Sequence, residues 1–179
     1  GYYRTLIWRK YMNAETHEFS NPTSVIANTY TSTEDLTITV EILEDWIPEP
    51  EHMSEGAAGV DIRAAIKGTK TIQPNETVMV STGLKVGIPK GFFGMLVPRS
   101  GLASKIGIVL ANTVGIIDSD YRGELMVPMI NKSEKSYDLI AGNRIAQFIL
   151  IPYIPFKAVY TGVNTTTRGS GGFGSTGVE

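Results

Sequence analysis

Residues 115–125 read Gly-Ile-Ile-Asp-Ser-Asp-Tyr-Arg-Gly-Glu-Leu, so apolar strand residues run directly into two carboxylates, an aromatic ring and a glycine. The Asp-Ser-Asp segment favours a tight turn, because short polar side chains form hydrogen bonds with their own backbone. Two interpretations are open at this point. The stretch is either a hairpin corner with a solvated acidic tip, or a rigid hairpin that presents Asp118 as a catalytic carboxylate above a pocket whose floor is Tyr121.

The chain on both sides of this stretch consists of short runs rich in Val, Ile and Thr, separated by Gly, Pro and Asn. Residues 36–42 alternate strictly between apolar and polar, which is typical of a half-buried strand. Strands this short at such spacing predict an all-β jelly roll or barrel. Only residues 100–106 look helical, for a turn or two. The other predicted strands lie at 60–65, 77–82, 92–97, 108–110, 124–130 and 145–151.

The composition excludes several kinds of chemistry. The 179 residues include no cysteine and only two histidines, His17 and His52, which lie far apart in the sequence. Disulfides, thiolate metal sites and cysteine nucleophiles are therefore excluded, and neither a histidine-rich metal site nor a Ser-His-Asp triad is expected. A net charge of −2 argues against a protein that coats nucleic acid.

No apolar run reaches the roughly 20 residues that a membrane helix needs. The first residues mix basic and apolar side chains, without the continuous apolar core of a signal peptide. We therefore expect an intracellular protein, cytoplasmic or nuclear or virus-encoded, that carries no targeting segment.

The two ends of the chain differ from its middle. Residues 1–33 are polar and aromatic without a clear period, and we interpret them as an N-terminal arm ahead of a β domain at 34–163. Residues 164–179 are rich in Gly, Ser and Thr and can bury little surface. This C-terminal segment is either a flexible linker or a lid that orders over a nucleotide, with Arg168 on phosphate and Phe173 on the base.

An arginine and a serine follow the predicted strand at 92–97. Arg99 supplies a planar cation suited to phosphate oxygens, and Ser100 could cap a short helix whose N-terminal amides face an anion. The plainer alternative is an ordinary capped turn.

Polar side chains also interrupt two other predicted strands. Asp61 lies between apolar strand residues, where a charge requires either a buried salt bridge, for example with Arg63, or a nearby metal. A turn after residue 142 leads into a strand that carries Arg144 and Gln147. Each of these clusters is a weak signal by itself.

Taken in order, the clusters resemble the five motifs of the homotrimeric dUTPase family, and the resemblance covers residues 36–177. It implies a β jelly roll that assembles as a homotrimer with shared active sites. It also implies hydrolysis of dUTP to dUMP and pyrophosphate with Mg²⁺, which supplies dUMP and keeps uracil out of DNA. The matching segments are Ala-Gly-Val-Asp at 58–61, Pro-Arg-Ser-Gly-Leu-Ala at 98–103, the hairpin at 115–123, Arg-Ile-Ala-Gln at 144–147 and the glycine-rich tail at 168–177.

The resemblance implies a role for each matching residue. Asp118 would activate the attacking water, and Tyr121 would pack against deoxyribose, leaving no space for a ribose 2′-hydroxyl. Asp61 would hold a water of the Mg²⁺ shell, so that no side chain binds the metal directly. Asn112 and the hairpin backbone at Val114 would read uracil. The remaining contacts, to phosphate and base, would come from Arg99, Ser100, Gly101 and Gln147 and, on the tail of another subunit, from Arg168, Phe173, Gly174, Ser175 and Thr176.

One position departs from the family pattern. Asn143 stands where an acidic residue usually precedes the arginine, so no salt bridge from this position to Arg144 is expected. Asp120 is expected to be a structural or solvated carboxylate rather than a second catalytic one.

Two alternatives stay open. A dCTP deaminase-like enzyme of the same fold would share several early motifs, but it would not be expected to carry the complete tail at 168–177. A regulatory nucleotide-binding protein built on a dUTPase scaffold is the other. The expected partners are dUTP and further copies of the chain, with neither a membrane nor direct nucleic-acid binding.

Overall fold

The computed structural model describes residues 36–171, and within this range eleven strands and one short helical turn are present. Every strand pair in it is antiparallel. The all-β prediction is therefore confirmed. The strands are β1 (Thr39–Ile42), β2 (Val60–Arg63), β3 (Thr69–Ile72), β4 (Thr77–Ser81), β5 (Leu84–Gly87), β6 (Phe92–Pro98), β7 (Ile108–Leu110), β8 (Gly115–Ile117), β9 (Met126–Asn131), β10 (Tyr137–Ile140) and β11 (Arg144–Pro152).

The strands form two larger sheets and two paired ribbons. The four-stranded sheet has the order β2-β11-β6-β8, and the three-stranded sheet has the order β4-β9-β7. β1 pairs with β5, and β3 pairs with β10. β11 thus lies between β2 and β6, so one sheet carries Asp61 on β2, Arg144 and Gln147 on β11, and the strand that leads to Arg99.

Alternating side chains on these strands build one common core. β9 buries Val127, Met129 and Asn131, and β4 buries Val78 and Val80, while the residues between them face outward. This period of two is the expected behaviour of a strand with one solvated face.

The ring of Phe148 on β11 lies so close to the backbone of β6 that only glycine fits at position 94. A Cβ atom at Gly94 in β6 would lie 2.5 Å from Cζ of the Phe148 ring on β11. The ring therefore lies directly on the backbone of β6.

The sequence pattern does not predict β3, β5 and β10. Each has four residues, and β3 and β10 each bury a single side chain, Ile72 and Leu139. A strand with one buried residue has no detectable alternation, so its pairing with a neighbour and not its own sequence makes it a strand.

The segment predicted as helical is shorter than expected and begins at a later residue. A π-type turn covers Leu102–Ile106, and Gly101 occupies its N-cap position without a side-chain hydrogen bond. The prediction that Ser100 caps this turn is wrong. Ser100 instead accepts a hydrogen bond at its carbonyl from the Ser104 hydroxyl, at 2.7 Å.

Within residues 36–171, no helix combines the length and the hydropathy needed to cross a membrane. The arm predicted at 1–33 lies outside the described residues.

Asn131 is a completely buried amide that joins three segments. Its Nδ2 donates to the carbonyls of Ile72, at 3.0 Å, and Lys135, at 2.7 Å. Its Oδ1 accepts from the backbone N–H and the hydroxyl of Ser133, at 2.9 and 2.8 Å. Its side chain therefore fixes the β9–β10 connection against β3.

We predict that Asn131→Ala lowers the free energy of unfolding by about 3 kcal/mol, because it leaves buried carbonyl and amide groups without partners. Urea denaturation at one fixed protein concentration measures the change. Thr71→Ala is the matched control, since it removes an exposed side-chain hydrogen bond to Asp138 and should change stability by no more than about 0.5 kcal/mol. Equal losses in the two variants would contradict the role assigned to Asn131.

Candidate active site

The residues after β8 form a tight turn at the surface. β8 pairs with β6 through Gly115–Leu96, Ile116–Met95 and Ile117–Gly94, so Asp118 emerges beside the start of β6. The Tyr121 N–H donates to the Asp118 carbonyl at 3.1 Å and closes the turn. The Asp118 side chain is exposed. The predicted tight turn is present, but the hairpin prediction is wrong, because β8 belongs to the four-stranded sheet and β9 to the three-stranded sheet. The turn connects the two sheets and presents a carboxylate to solvent from an ordered backbone.

The exposed side chain of Arg122 stabilises the same turn. Its Nη1 donates to the carbonyls of Ser119, at 2.7 Å, and Tyr121, at 2.8 Å. This guanidinium therefore forms its hydrogen bonds with the backbone of the turn.

The ring of Tyr121 is held at its hydroxyl end. The hydroxyl donates to the Glu124 carbonyl at 2.9 Å. A Cβ atom at Gly123 would lie 2.6 Å from Cζ of the ring, so the ring folds back onto a position that only glycine leaves open. About two fifths of the residue, 41%, remains exposed.

A cavity of about 580 Å³ lies beside this turn. Its volume falls within the range of small-molecule sites, about 300–1,000 Å³. Lys90 supplies one positive charge to its lining, against two carboxylates from Asp118 and Asp120. A cavity with that balance is unsuited to bind a polyphosphate by itself. The lining comprises Lys90, Phe92, Phe93, Ile116, Asp118, Ser119, Asp120 and Tyr153.

The other end of β8 carries the residues predicted to read a base. Asn112 and Val114 are exposed in the β7–β8 connection, and the Val114 N–H donates to the Asn112 carbonyl at 2.6 Å. Thr113 between them has φ of 64°, a left-handed conformation that is uncommon for a β-branched residue. Val114 and Asp118 are four residues apart along β8, about 13 Å in an extended strand.

Asp61 forms a second cluster in the four-stranded sheet, with its side chain only 5% exposed. Its Oδ1 accepts from Arg99 Nε at 3.1 Å and Gln147 Nε2 at 3.4 Å, and its Oδ2 accepts from Arg144 Nη1 at 2.9 Å. Gln147 lies directly opposite Asp61 in the pairing of β11 with β2. The salt-bridge interpretation of Asp61 is correct, but Arg63 is not a partner, because it donates to the Gly142 carbonyl at 2.9 Å.

Asn143 and Arg144 have separate functions in the turn before β11. The Asn143 Oδ1 accepts from the Ile140 N–H at 3.2 Å and so closes the β10–β11 turn. Arg144 obtains its carboxylate partner from Asp61 on the neighbouring strand, and its Nη1 also contacts Met53 Sδ at 3.1 Å.

The charge of this cluster is positive. Two guanidinium groups face one carboxylate, and both arginine side chains remain partly exposed, at 27% for Arg99 and 38% for Arg144. Burial raises the pKa of the nearby Tyr137 hydroxyl, and the positive charge of Arg99 opposes this rise in part. Tyr137 therefore stays neutral at physiological pH and does not cancel the charge of the arginines, which suits an anion.

The two clusters lie at opposite ends of β6. Asp118 sits beside Phe93, one residue beyond the Gly94–Ile117 pair, whereas Arg99 follows Pro98 at the other end. Six residues of extended strand separate the two positions by about 20 Å. A single chain therefore does not bring Asp118 and Tyr121 together with Arg99, Ser100, Gly101 and Gln147.

The last described residues stand away from the domain. Arg168 Nε donates to the Gly171 carbonyl at 2.9 Å within its own segment. Three large side chains before it are almost fully exposed, Phe156 at 91%, Tyr160 at 97% and Val163 at 96%. The predicted tail residues Phe173, Gly174, Ser175 and Thr176 lie outside the described residues.

Sequence reasoning missed two residues at the arginine cluster. Met53 comes from the loop before β2, and Tyr137 comes from the first position of β10. Neither lies in a segment with a recognisable pattern, so only the folded structure reveals their proximity to Arg144 and Arg99.

The dUTPase family model matches residues 46–177 of the chain. A protein of Thiobacillus denitrificans named deoxyuridine 5'-triphosphate nucleotidohydrolase is 45% identical over 130 residues, which cover 72% of this chain and 89% of that protein. A Fusobacterium nucleatum protein of the same name is 46% identical over 138 residues, covering 76% and 94%.

Solved structures resemble the chain along most of its length. The dUTPase of Staphylococcus bacteriophage 80alpha, solved with dUpNHpp, superposes with a TM-score of 0.70 at 31% identity, covering 79% of this chain and 99% of that one. That protein is one of the phage dUTPases described as controlling the transfer of virulence genes. The dUTPase of phage phi11 of S. aureus gives a TM-score of 0.63 at 27% identity, covering 70% and 97%. These likenesses confirm the predicted jelly roll.

We predict that Asp61→Asn lowers the free energy of unfolding by about 2 kcal/mol, because it leaves two arginines without the buried charge that holds them. Glu41→Gln is the control, since it breaks an exposed ion pair to Lys85 at 3.4 Å and should change stability by less than about 1 kcal/mol. Urea denaturation at matched protein concentration compares the two, and an Asp61→Asn protein as stable as wild type would refute the structural role of the carboxylate.

Proposed function

The chain belongs to the dUTPase family and is an enzyme that hydrolyses dUTP, and we propose that Asp118 activates the attacking water at a site shared between subunits. The proposal rests on one observation: the turn with Asp118 and the cluster with Arg99 lie at opposite ends of β6. Asp118 lies in a cavity with too little positive charge, and the arginines lie about 20 Å away on the same chain. A second copy of the chain would bring its Arg99 to the Asp118 of the first.

The exposed carboxylate of Asp118 suits a general base. It would accept a proton from a water molecule that attacks the α-phosphorus, while the bond to the bridging oxygen breaks and pyrophosphate leaves. The ordered turn around it, closed by the Tyr121 N–H, keeps the carboxylate in one place relative to the sugar site. Asp120 is exposed on the same cavity and lies inside the turn that this bond closes, so we assign it a role in the turn and no chemical step.

The arginine cluster supplies the charge that a triphosphate needs. Arg99 keeps part of its guanidinium exposed while Asp61 holds its Nε. Ser100 and Gly101 are exposed directly after it, so a hydroxyl and backbone N–H groups stand next to the cation. Gln147 extends from β11 beside Asp61 and completes the phosphate-binding group.

The residues around Asp61 fit a Mg²⁺ ion that binds chiefly to substrate. The described residues contain no group of three or more His, Cys, Asp or Glu side chains able to enclose a metal. Mg²⁺ commonly keeps several waters and binds phosphates with one or two carboxylates, which agrees with a single carboxylate at this place. Asp61 would hold one of those waters through an oxygen lone pair left over from its arginine bonds. The bound ion would neutralise negative charge on the phosphates.

Specificity would come from the two ends of β8. Tyr121 would pack against deoxyribose and exclude a 2′-hydroxyl by its bulk. Asn112 and the backbone at Val114 would pair with uracil, and an analogue that leaves their hydrogen-bonding groups unpaired would be rejected strongly.

Two exposed apolar features support assembly with further copies of the chain. On the outer face of the three-stranded sheet, Met79 lies opposite Pro128 and Val109 lies opposite Ile130, and Met79 is 61% exposed. The segment before the tail exposes three large side chains. Apolar surface of this kind marks a contact between proteins. We propose a homotrimer in which the tail of another subunit brings Arg168 to the terminal phosphate and Phe173 to uracil.

The test of the activity is product release from dUTP, dCTP, dTTP and UTP with Mg²⁺. We expect pyrophosphate from dUTP in large excess over the other three. Asp118→Asn should lower kcat for dUTP by about 100- to 10,000-fold while dUTP binding persists, because it removes the base and keeps the shape. Asp120→Asn is the matched control and should retain most activity.

Three results would contradict this assignment. Ammonia released from dCTP would make the protein a deaminase of the same fold. Unchanged turnover in Asp118→Asn would remove this residue as the base. Equal losses in Asp118→Asn and Asp120→Asn would mean that the charge of the cavity matters and not the identity of one carboxylate.

The shared site has a test of its own in mixed assemblies. Asp118→Asn and Arg99→Gln proteins should each be inactive. Co-expressed in equal amounts, they should recover activity at about one quarter of the sites, since each restored site takes Asp118 from one subunit and Arg99 from its neighbour. Co-expression of Asp118→Asn with Asp118→Ala is the control and should recover nothing. No recovery in the first mixture, with mixed assemblies demonstrated by mass, would place both residues in one subunit's site.

A further inference from the structure

We propose that Glu124 is a positioning residue for Tyr121, and that it thereby sets the selectivity of the enzyme for deoxyribose over ribose. The inference rests on the function proposed above for Tyr121. It is carried by a set of hydrogen bonds that ties the end of the catalytic turn to the β4–β5 turn.

The Glu124 carboxylate is clamped by two donors from the β4–β5 turn. Its Oε1 accepts a hydrogen bond from the Ser81 hydroxyl and another from the Gly83 N–H, the latter at 2.8 Å. Both donors are neutral and the group is half-buried, and hydrogen bonds to an ionised acceptor in such a place are among the stronger ones.

The β4–β5 turn is a rigid base for this clamp. Gly83 is buried with φ of 67°, and a Cβ atom there would lie 3.1 Å from the Ala65 Cβ, so the turn has one close-fitting conformation. Thr82 is completely buried, and its hydroxyl donates to the Leu125 carbonyl at 2.7 Å. The Leu125 N–H in turn donates to the Leu84 carbonyl at 2.7 Å. The residue after Glu124 is therefore anchored as well.

The backbone of Glu124 passes this restraint to Tyr121. Its carbonyl accepts the Tyr121 hydroxyl at 2.9 Å. The hydroxyl is the far end of the ring, so the position of this carbonyl decides how far the ring leans over the sugar site. The bare backbone of Gly123 is also close to this end of the ring, but it offers packing and no directional bond to the hydroxyl.

A small change in ring position matters because sterics alone would exclude the 2′-hydroxyl. An atom-sized difference in a pocket is worth about 10- to 200-fold in selectivity. Release of the Glu124 clamp should therefore admit UTP, without removing any group that touches the reacting phosphorus.

The experiment measures kcat/KM for dUTP and UTP in the assembled enzyme. Glu124→Ala should lower the dUTP-to-UTP ratio by about tenfold or more. Glu124→Gln keeps an acceptor oxygen for Ser81 and Gly83 and should restore most of the ratio. Ser81→Ala removes one of the two donors and should lower the ratio by a smaller factor. Glu41→Ala removes an exposed carboxylate that pairs with Lys85 and is not among the hydrogen-bond partners of Glu124 or Tyr121, and should leave the ratio unchanged.

A second arm tests the route through the ring. In a Tyr121→Phe background the hydroxyl is absent, so Glu124→Ala should have little additional effect on the ratio. Fully additive effects in this double variant would overturn the proposed route.

The outcomes separate this inference from the activity itself. If Glu124→Ala is folded and loses activity on both nucleotides in equal proportion, Glu124 only supports the fold and the inference is wrong. If Glu124→Ala does not fold, Ser81→Ala decides, and an unchanged ratio there overturns the inference. A wild-type enzyme that does not hydrolyse dUTP would refute the proposed function instead.

Discussion

The pairing of β6 with both β8 and β11 is the constraint on which the site depends. β11 pairs with β6 along its whole length and β8 pairs with its middle, so β6 is held extended and the positions of Phe93 and Arg99 lie about 20 Å apart. Asp118 is tied to one end by the β8 register, and Arg99 follows the other. The chain thus carries the two parts of the proposed site, here called half-sites, at separate places: an acidic cavity with the candidate base and a basic cluster with the arginines proposed to bind phosphate. Neither half can perform phosphoryl transfer by itself, which needs both a placed water and neutralised phosphate charge.

Each half-site is prepared by hydrogen bonds that leave its reactive groups exposed. Asp61 aligns Arg99 and Arg144 through its two oxygens, while part of each guanidinium remains in solvent. The turn at Asp118 uses Arg122 and the Tyr121 N–H to order its backbone, while the carboxylate itself stays exposed. In both places a charged side chain holds its neighbours through hydrogen bonds, Asp61 at the arginine cluster and Arg122 at the turn. This arrangement keeps the geometry fixed before substrate arrives, which is what electrostatic catalysis requires.

The sequence predicts the fold class and the segments that form the turn and the arginine cluster, because both depend on local patterns. Alternation reveals strands that bury one face, and the five ordered motifs locate the turn at Asp118 and the arginine at 99. It does not predict β3 and β10, which bury one residue each and exist through pairing. It also leaves the partner of Asp61 undecided, since Arg99 and Arg144 are 38 and 83 residues away and meet it only in the folded sheet. The Ser100 cap fails for a local reason: the turn begins at Leu102, so the N-cap position falls on Gly101, one residue after Ser100.

The contact between Gly94 and the Phe148 ring bears on how genetic data for this protein should be interpreted. Even a methyl group at position 94 would overlap the ring, and the ring cannot retreat because β11 is paired on both sides. Gly94 is not among the residues proposed to bind substrate, yet it lies in β6, the strand whose length separates the two half-sites. A saturation mutagenesis screen for activity would therefore rank Gly94 with Asp118, the carboxylate proposed as the base. Loss of activity on replacement would here reflect the lack of space between the β6 backbone and the Phe148 ring. A separate measurement of the amount of folded protein would distinguish this packing effect from an effect on the chemical step.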